Sequence, residues 1–287
     1  MTVREARPED AEDCGRVVYE AFKGIADRRG FPPDFPAVEA ATEFMTAWTA
    51  HPAIHGVVAE LDGSVVACNF LDQRDPIYGV GPMTVAPEAQ GQGLGRRLMG
   101  DVLEHGAGGA GIRLLQAPHN PVSMSLYASL GFEVKEPVVR ISGPVRSAPA
   151  PGIEVRALEE DDFDSCAELC RRVHGFERSN ELRDAARVPM LTPMVAVRDG
   201  RITAYATGVH FWPLGHGVAE SDADLQALIL GAAAASEAPV DLLLPVRQAD
   251  LFRWALGEGM RVVNPMTLMT TGEYREPQGA WFPSVLY

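Results

Sequence analysis

The chain repeats itself. "VREARPEDAEDCGRVVYEAF" from Val3 aligns with "VRALEEDDFDSCAELCRRVHGF" from Val155. Val3-Arg4 falls on Val155-Arg156 and Cys14 on Cys166, at a constant offset of 152. Further on, "AELDGSVVACNF" matches "AVRDGRITAYAT", with Asp62-Gly63 on Asp199-Gly200 at an offset of 137. Two weakly similar copies predict two similar domains. The offsets differ by 152 − 137, so the first copy carries about fifteen extra residues, expected in the Gly- and Pro-interrupted stretch 24–37. Between the copies, "ISGPVRSAPAPGIEV" is rich in Pro, Gly, Ser and Ala and lacks periodicity, as a linker does. The expected division is 1–142, a linker at 143–152, and 153–287.

Each copy begins with a short strand and a helix. In the first, Val17, Val18, Ala21 and Phe22 form a helical stripe, and a second helix is expected over about 37–49. "HGVVAEL" and "SVVACNFL" flank Asp62-Gly63, a strong hairpin signal. "IYGVGPMTV" reads as one further strand interrupted by Gly79, Gly81 and Pro82, a sign of a bulge or of close approach by a ligand. After "QGQGLG", Leu94, Leu98, Val102 and Leu103 share a helix face. "IRLLQA" reads as a buried strand, "PVSMSLYASL" as a short helix and "FEVKEPVVRI" as a last strand. The expected order is β-α-α-β-β-β-α-β-α-β.

The length of 287 residues suits two ordinary domains. The net charge of −14, with no Lys/Arg run, argues against nucleic acid as a partner and suits a cationic one. The charged start "MTVREARPEDAEDCG" has no signal core, and no stretch of about 18 apolar residues suggests a membrane span. Four cysteines do not suggest a disulfide framework, so a cytoplasmic location is expected.

Gly91, Gly93 and Gly95 lie between a strand and a helix. Such a turn presents backbone N–H groups at the positive end of the helix, and glycine lets an anion approach them. The spacing fits neither G-x-G-x-x-G, since Arg96 stands at the third glycine, nor the nucleoside-triphosphate loop, since no Gly-Lys-Ser/Thr is present. A tight turn without a ligand is the plainer alternative.

Gln90-x-x-Gly93-x-Gly95 after "MTV", followed by "NPVSMSLYASLGF" from Asn120 to Phe132, resembles the GNAT superfamily of acyl-CoA-dependent N-acyltransferases. The resemblance covers roughly 3–140 and rests on Asn120, Tyr127, Leu130, Gly131 and Phe132 beside the glycine turn. The whole chain resembles the tandem-domain members more loosely. The resemblance implies an α/β fold of the α+β type: two tandem GNAT-like domains, each a mixed, mostly antiparallel sheet flanked by helices. It implies that amides of Gln90, Gly91, Gln92, Gly93, Leu94, Gly95 and Arg96 cradle the pyrophosphate of acetyl-CoA. Main-chain groups of Met83, Thr84 and Val85 would pair with the pantetheine, and Asn120 and Ser123 would also contact the coenzyme. Tyr127 would face the sulfur, where a phenol can protonate the departing thiolate. A backbone N–H of the bulged strand would stabilise the oxyanion. For Tyr127 the plainer alternative is a packed helix tyrosine. No metal is implied.

Many members of the superfamily carry a glutamate on the strand before the turn, but "IYGVGPMTV" has no carboxylate. Asp72 and Asp75 are the nearest, and His51, His55 and His119 are further candidates for the base. The apolar end "GAWFPSVLY" is expected to dock. By analogy with tandem members that use a chain-terminal carboxylate, Tyr287 is a candidate base. Simple packing of Trp281, Phe282 and Leu286 is the alternative.

The second copy has "GVAESDADLQALI" in place of the glycine turn. Glu220, Asp222 and Asp224 there would repel a pyrophosphate, and aligning Gly259-Met260 with Gly131-Phe132 puts Ala255 at the position of Tyr127. That copy is expected to bind no coenzyme and to support the first. Cys166, Cys170 and His174 recur every four residues and could suggest a metal, but with Phe163 and Val173 they also form an apolar stripe. "DRRGFPPDFP" reads as a lid or as an irregular insertion. The sequence points to transfer of an acetyl group to a primary amine, on a small molecule or a peptide, by direct attack. The alternatives are a non-catalytic acyl-CoA sensor and a purely structural tandem fold.

Overall fold

The computed structural model describes all residues, Met1–Tyr287. The first half runs β1 (Thr2–Glu5), α1 (Ala11–Arg29), α2 (Val38–Ala50), β2 (Ile54–Leu61) and β3 (Ser64–Asp72). α1 buries Cys14, Val17 and Val18 on one face and ends at Gly30, whose φ of +70° gives a left-handed cap. The hairpin turns at Asp62 and Gly63, with φ of +52° and +86°, the two-residue geometry that suits strand twist. Then follow β4 (Ile77–Val80), β5 (Thr84–Val85), α3 (Leu94–His105), β6 (Gly111–Gln116), α4 (Pro121–Ser129) and β7 (Glu133–Gly143). The expected strand 77–85 is thus two pieces, β4 and β5, broken at Gly81-Pro82-Met83.

The second half repeats the plan with β8 (Ile153–Ala157), α5 (Phe163–His174), α6 (Ser179–Ala185), β9 (Met194–Arg198), β10 (Arg201–Ala206) and β11 (Gly217–Ala219). It continues with α7 (Asp222–Ala234), β12 (Val240–Pro245), α8 (Ala249–Glu258), β13 (Arg261–Gly272) and a short β14 (Ala280–Phe282).

The repeat persists in atomic detail. Arg4 grips Asp10 through contacts of 2.7 and 2.8 Å, and Arg156 grips Asp162 at 2.6 and 2.9 Å. Each aspartate also accepts a backbone N–H, from Arg7 and Glu159, at 2.8 Å. Asp199 takes φ +53° where Asp62 takes +52°. The extra residues of the first copy are mostly helix: α1 has 19 residues against 12 in α5, and α2 has 13 against 7 in α6. Of the stretch expected to be interrupted, only 30–37 lies outside a helix. Gly24 sits inside α1 because helix propensity on both sides outweighs one glycine.

One nine-stranded sheet has the path β1-β2-β3-β4-β6-β13-β7-β12, with β5 paired to β3, and a five-stranded sheet runs β14-β11-β10-β9-β8. β13, from the second half, enters between β6 and β7 of the first. β7 in turn pairs with β12 and places Ile141 in the core under α7 and α8. The halves exchange strands, so they cannot separate without breaking ladder hydrogen bonds on both sides. β7 continues through Gly143, and the connecting segment is fastened to α8 where Glu258 accepts the Arg146 and Ser147 amides at 2.8 and 2.9 Å. No helix is long and apolar enough to cross a membrane.

Candidate active site

β4 and β6 run parallel for three residue pairs, Ile77↔Gly111, Tyr78↔Ile112 and Gly79↔Arg113, and then separate. The Gly81 amide donates to Phe70 O at 3.0 Å and draws the chain toward β3, while β6 runs straight to Gln116. A wedge opens between β5 and β6. The Ala86 amide donates to Val66 O at 2.8 Å, so Val66/Ala86 and Cys68/Thr84 are the bonded pairs of this ladder. The alternation turns the main-chain groups of Met83 and Val85 into the wedge. Thr84 differs from expectation: its main chain is committed to Cys68, because successive residues of a strand bond to opposite sides.

The glycine turn lies at the mouth of this wedge. Gly91 and Gly93 take φ of +78° and +77°, and a Cβ on either would meet nothing within 4 Å. The left-handed backbone favours glycine here, and the absence of side chains leaves the turn open. None of the six amides from Gly91 to Arg96 donates to a backbone acceptor, and the Arg97 amide is the first to do so, to Gly93 O at 3.2 Å. Buried Leu94 anchors the start of α3 beneath them. This is the donor set that a pyrophosphate needs at a helix N-terminus. The cradle is one residue shorter than expected, since the Gln90 amide bonds Pro87 O at 3.4 Å and its side chain bonds Val85 O at 3.0 Å. Gln90 closes the turn onto β5. Gly95 has a different reason to be glycine: a Cβ there would lie 2.8 Å from Met83 Cε. The side chain of Arg96 crosses to Ser129 Oγ at 2.6 Å.

Tyr127 reaches the same place from α4. Its hydroxyl donates to the Met83 sulfur at 3.2 Å. Burial pushes its pKa up to about 12, so it stays protonated at any ordinary pH. The Met83 thioether is only a weak acceptor, so the Tyr127 hydroxyl remains a proton donor available to a stronger one. Asn120 and Ser123 shape the wall behind it. The Asn120 carboxamide oxygen caps α4 by accepting the Ser123 amide at 3.3 Å, and Gln116 Nε2 donates to Asn120 O and Ser123 Oγ, each at 3.0 Å. The acceptor atoms of Asn120 and Ser123 are engaged within the protein.

The chain end docks on β4. A Cβ at Gly79 would collide with the main chain of Leu286. Ser284 holds the tail by accepting from Arg178 at 2.9 Å and donating to Glu181 at 3.1 Å, both buried. The Tyr287 residue is 2% exposed, its ring stacked on Trp281 and its hydroxyl 2.7 Å from His174 Nδ1. The tail thus meets the strand at Gly79, whereas Tyr127 meets it beyond Gly81, at Met83.

Most of the other candidate bases have structural work. Asp72 is bound by Arg74 through contacts of 2.6 to 3.0 Å. Asp75 accepts the amides of Asn180 and Glu181 at the start of α6, and burial raises its pKa to about 6. His51 bonds Asp184 at 3.1 Å, and His55 bonds Asp101 at 2.9 Å while stacking on His105. His119 is different: both ring nitrogens are buried without a partner, its ring lies 5.2 Å from Phe31, and burial with Arg29 nearby lowers its pKa. Sequence reasoning passed over Asp34, in the loop between α1 and α2, whose pKa burial raises to about 6. Its one sequence signal is being the lone acid in "FPPDFP".

In the second half, Ser221 caps α7 by accepting the Asp224 amide at 3.3 Å. The Asp224 carboxylate is taken by Thr203 at 2.8 Å and Arg198 at 3.0 Å. β14 pairs with β11, and its Trp281 exchanges two hydrogen bonds with Gln248, at 2.6 and 2.9 Å. A strand of the protein itself thus lies along β11 on the side facing β12. Ala255 occupies the Tyr127 position: Met260 N–H donates to Ala255 O at 3.2 Å as Phe132 N–H donates to Tyr127 O at 3.1 Å. Cys166 and Cys170 pack with Phe163 and Val173 in one core cluster, and burial raises both thiols.

A splayed parallel pair, a glycine turn with free amides and a second copy of the same plan define a tandem GNAT-fold protein. Residues 25–132 match the acetyltransferase (GNAT) family. It is 29% identical over 150 residues to the N-alpha-acetyltransferase RimI of Mycobacterium tuberculosis, covering 50% of this chain and 87% of the relative. An uncharacterised Mycobacterium leprae protein is 34% identical over 155 residues, 54% of this chain, and this chain spans only 39% of that relative's length. Among solved structures, a Pyrococcus horikoshii protein superposes with a TM-score of 0.78 at 17% identity, over 100% of this chain and 94% of the other. A tandem GNAT protein from the clavulanic acid biosynthesis pathway superposes at 0.57 with 15% identity, over 94% and 98%. At these identities the structures show the fold alone.

Proposed function

We propose that the chain is an acetyl-CoA-dependent N-acetyltransferase acting in the cytoplasm, with residues 1–142 catalytic, 143–152 a linker and 153–287 a supporting domain. The observation that carries this reading is the meeting of free amides from Gly91 to Arg96, the strand edge at Met83 and the Val85 N–H, and the Tyr127 hydroxyl in one wedge. The amides bind pyrophosphate, and the edge pairs with the pantetheine as an added strand. The acceptor nitrogen attacks the thioester carbonyl. Its C–N bond forms as the C–S bond breaks, an N–H of the β5 edge stabilises the oxyanion, and Tyr127 gives its proton to the leaving sulfur. The carboxylate of Tyr287 takes a proton from the acceptor ammonium and so frees the amine that attacks. No cysteine stands at the thioester position that the motif implies, so transfer is direct.

The net charge of −14 favours a cationic acceptor, and the likeness to RimI puts a peptide N-terminal amine in the same set as polyamines, aminoglycosides and amino acids. A second reading, an acyl-CoA sensor without turnover, is favoured by the missing carboxylate on β4. The test is release of free CoA with a panel of those amines. Turnover that falls in Tyr127→Phe supports the enzyme. Tight acetyl-CoA binding with no turnover on any amine leaves the sensor.

A further inference from the structure

A cavity of about 590 Å³ lies where the two halves meet, at the end of β4 remote from the wedge. Ile77 and Arg113 of the first half and Arg171, Phe176, Glu273 and Arg275 of the second line it. The wedge opens beyond Val80, whereas the cavity abuts Ile77, and the Leu286 main chain lies over Gly79 between them. The cavity is therefore separate from the coenzyme slot, and its volume suits a small ligand.

Its unusual member is Arg113. The residue is 1% exposed, yet Nε and Nη1 have no hydrogen-bond partner. Aromatic faces surround the guanidinium, with its carbon 4.3 Å from the Tyr287 ring centre, 4.8 Å from Phe176 and 5.3 Å from Tyr274. Those faces favour the charge but leave in-plane N–H groups unbonded. Buried donors without acceptors are costly, and Nη2, which is neither enclosed nor hydrogen-bonded, leaves the guanidinium one nitrogen with which to bind an oxyanion in the cavity. The wall also carries Arg171, Arg275, Glu177 and Glu273. Glu177 is held by Arg171 at 3.1 Å, which leaves Arg113 and Arg275 against Glu273. The balance is one positive charge, in a protein whose net charge is −14.

We propose that this cavity is a second ligand site, for a small molecule bearing a carboxylate or phosphate group that binds Arg113 and Arg275. The test is calorimetric titration of the full chain with inorganic phosphate and, separately, succinate, in chloride buffers of matched ionic strength. Saturable one-to-one binding of either anion is expected. Binding of phosphate alone indicates a phosphate monoester as the ligand class, and binding of succinate alone a carboxylate. Arg275→Gln, at an exposed position, should weaken it at least tenfold, and Arg113→Lys should weaken it further. Gly93→Glu should leave it unchanged, and acetyl-CoA should bind Arg275→Gln as it binds the wild type. No saturable binding of either anion, or equal affinity in Arg275→Gln, overturns the proposal. So does binding lost in Gly93→Glu but kept in Arg275→Gln, which would place the anion at the coenzyme turn.

Discussion

At one point of the shared plan the two domains part. The first opens α3 with Gly91-Gln92-Gly93, and its leading amides bond to nothing in the protein backbone. The second opens α7 with Ser221-Asp222-Ala223-Asp224, where the serine side chain takes one of those amides itself. Every helix begins with unsatisfied N–H groups. One domain keeps them for a ligand and the other caps them. The neighbouring strands show the same contrast: β4 and β6 splay into an open wedge, whereas β14 lies against β11 where a ligand chain would have to lie. On our proposal, coenzyme capacity is lost or kept through a few residues at a helix start and a strand edge, on a backbone that otherwise repeats from Arg4–Asp10 to Arg156–Asp162.

Substitutions that move one domain toward the other test this contrast. The largest effect is expected from Gly93→Glu, which puts a carboxylate and a strained left-handed backbone into the turn. Acetyl-CoA affinity should fall about 100-fold, roughly 2.7 kcal/mol, measured by calorimetry. The reverse change, Asp222→Gly, should create no second site, because β14 still lies along β11. Tyr127→Phe should lower kcat about 100-fold with little change in the KM for acetyl-CoA, since the proton is needed only as sulfur leaves; steady-state kinetics read both. Deletion of Tyr287 should lower kcat about tenfold or more, while Tyr287→Phe, which keeps the carboxylate, should retain activity. Unchanged turnover in a stable deletion variant would exclude the terminal base and direct attention to His119 and Asp34. Ala255→Tyr adds a phenol where the second domain is closely packed. It should cost about 1–3 kcal/mol of stability in denaturant titration and leave coenzyme stoichiometry unchanged.

The smallest effect concerns the junction. Burial raises Asp75 to about 6 from 3.8, so the folded state holds its proton to higher pH than the unfolded chain does. Its contribution to stability is complete below about pH 4 and declines as pH rises to about 6. Asp75→Asn should flatten that part of the dependence, read as the difference between the two proteins' Tm values from pH 4 to 7.

Much of this was legible in the sequence because it depends on local rules. The Asp62-Gly63 hairpin, the stripe of α1 and the glycine turn each follow from neighbouring residues. The family motif added Tyr127, and the offset of 128 to Ala255 survives in matching backbone bonds. What escaped depends on contacts far apart in the chain. Nothing in "RVVNPMTLMTTG" states that β13 enters between β6 and β7, because its alternation suits either sheet. The commitment of Thr84 to Cys68 depends on ladder register, and that of Gln90 to Val85 on how the turn closes. The buried, unpartnered guanidinium of Arg113 reads in "IRLLQA" as a single polar residue within a strand. The tail and the segments that follow α5 and β13, which bring Tyr287, Phe176 and Tyr274 around it, give it its surroundings.

The central claim is one live coenzyme site in two similar domains. Titration of the wild-type chain with acetyl-CoA tests it most directly. The account predicts saturation at one equivalent, abolished by Gly93→Glu. Two equivalents would contradict the closed second domain, and no binding at millimolar coenzyme would contradict the open first one.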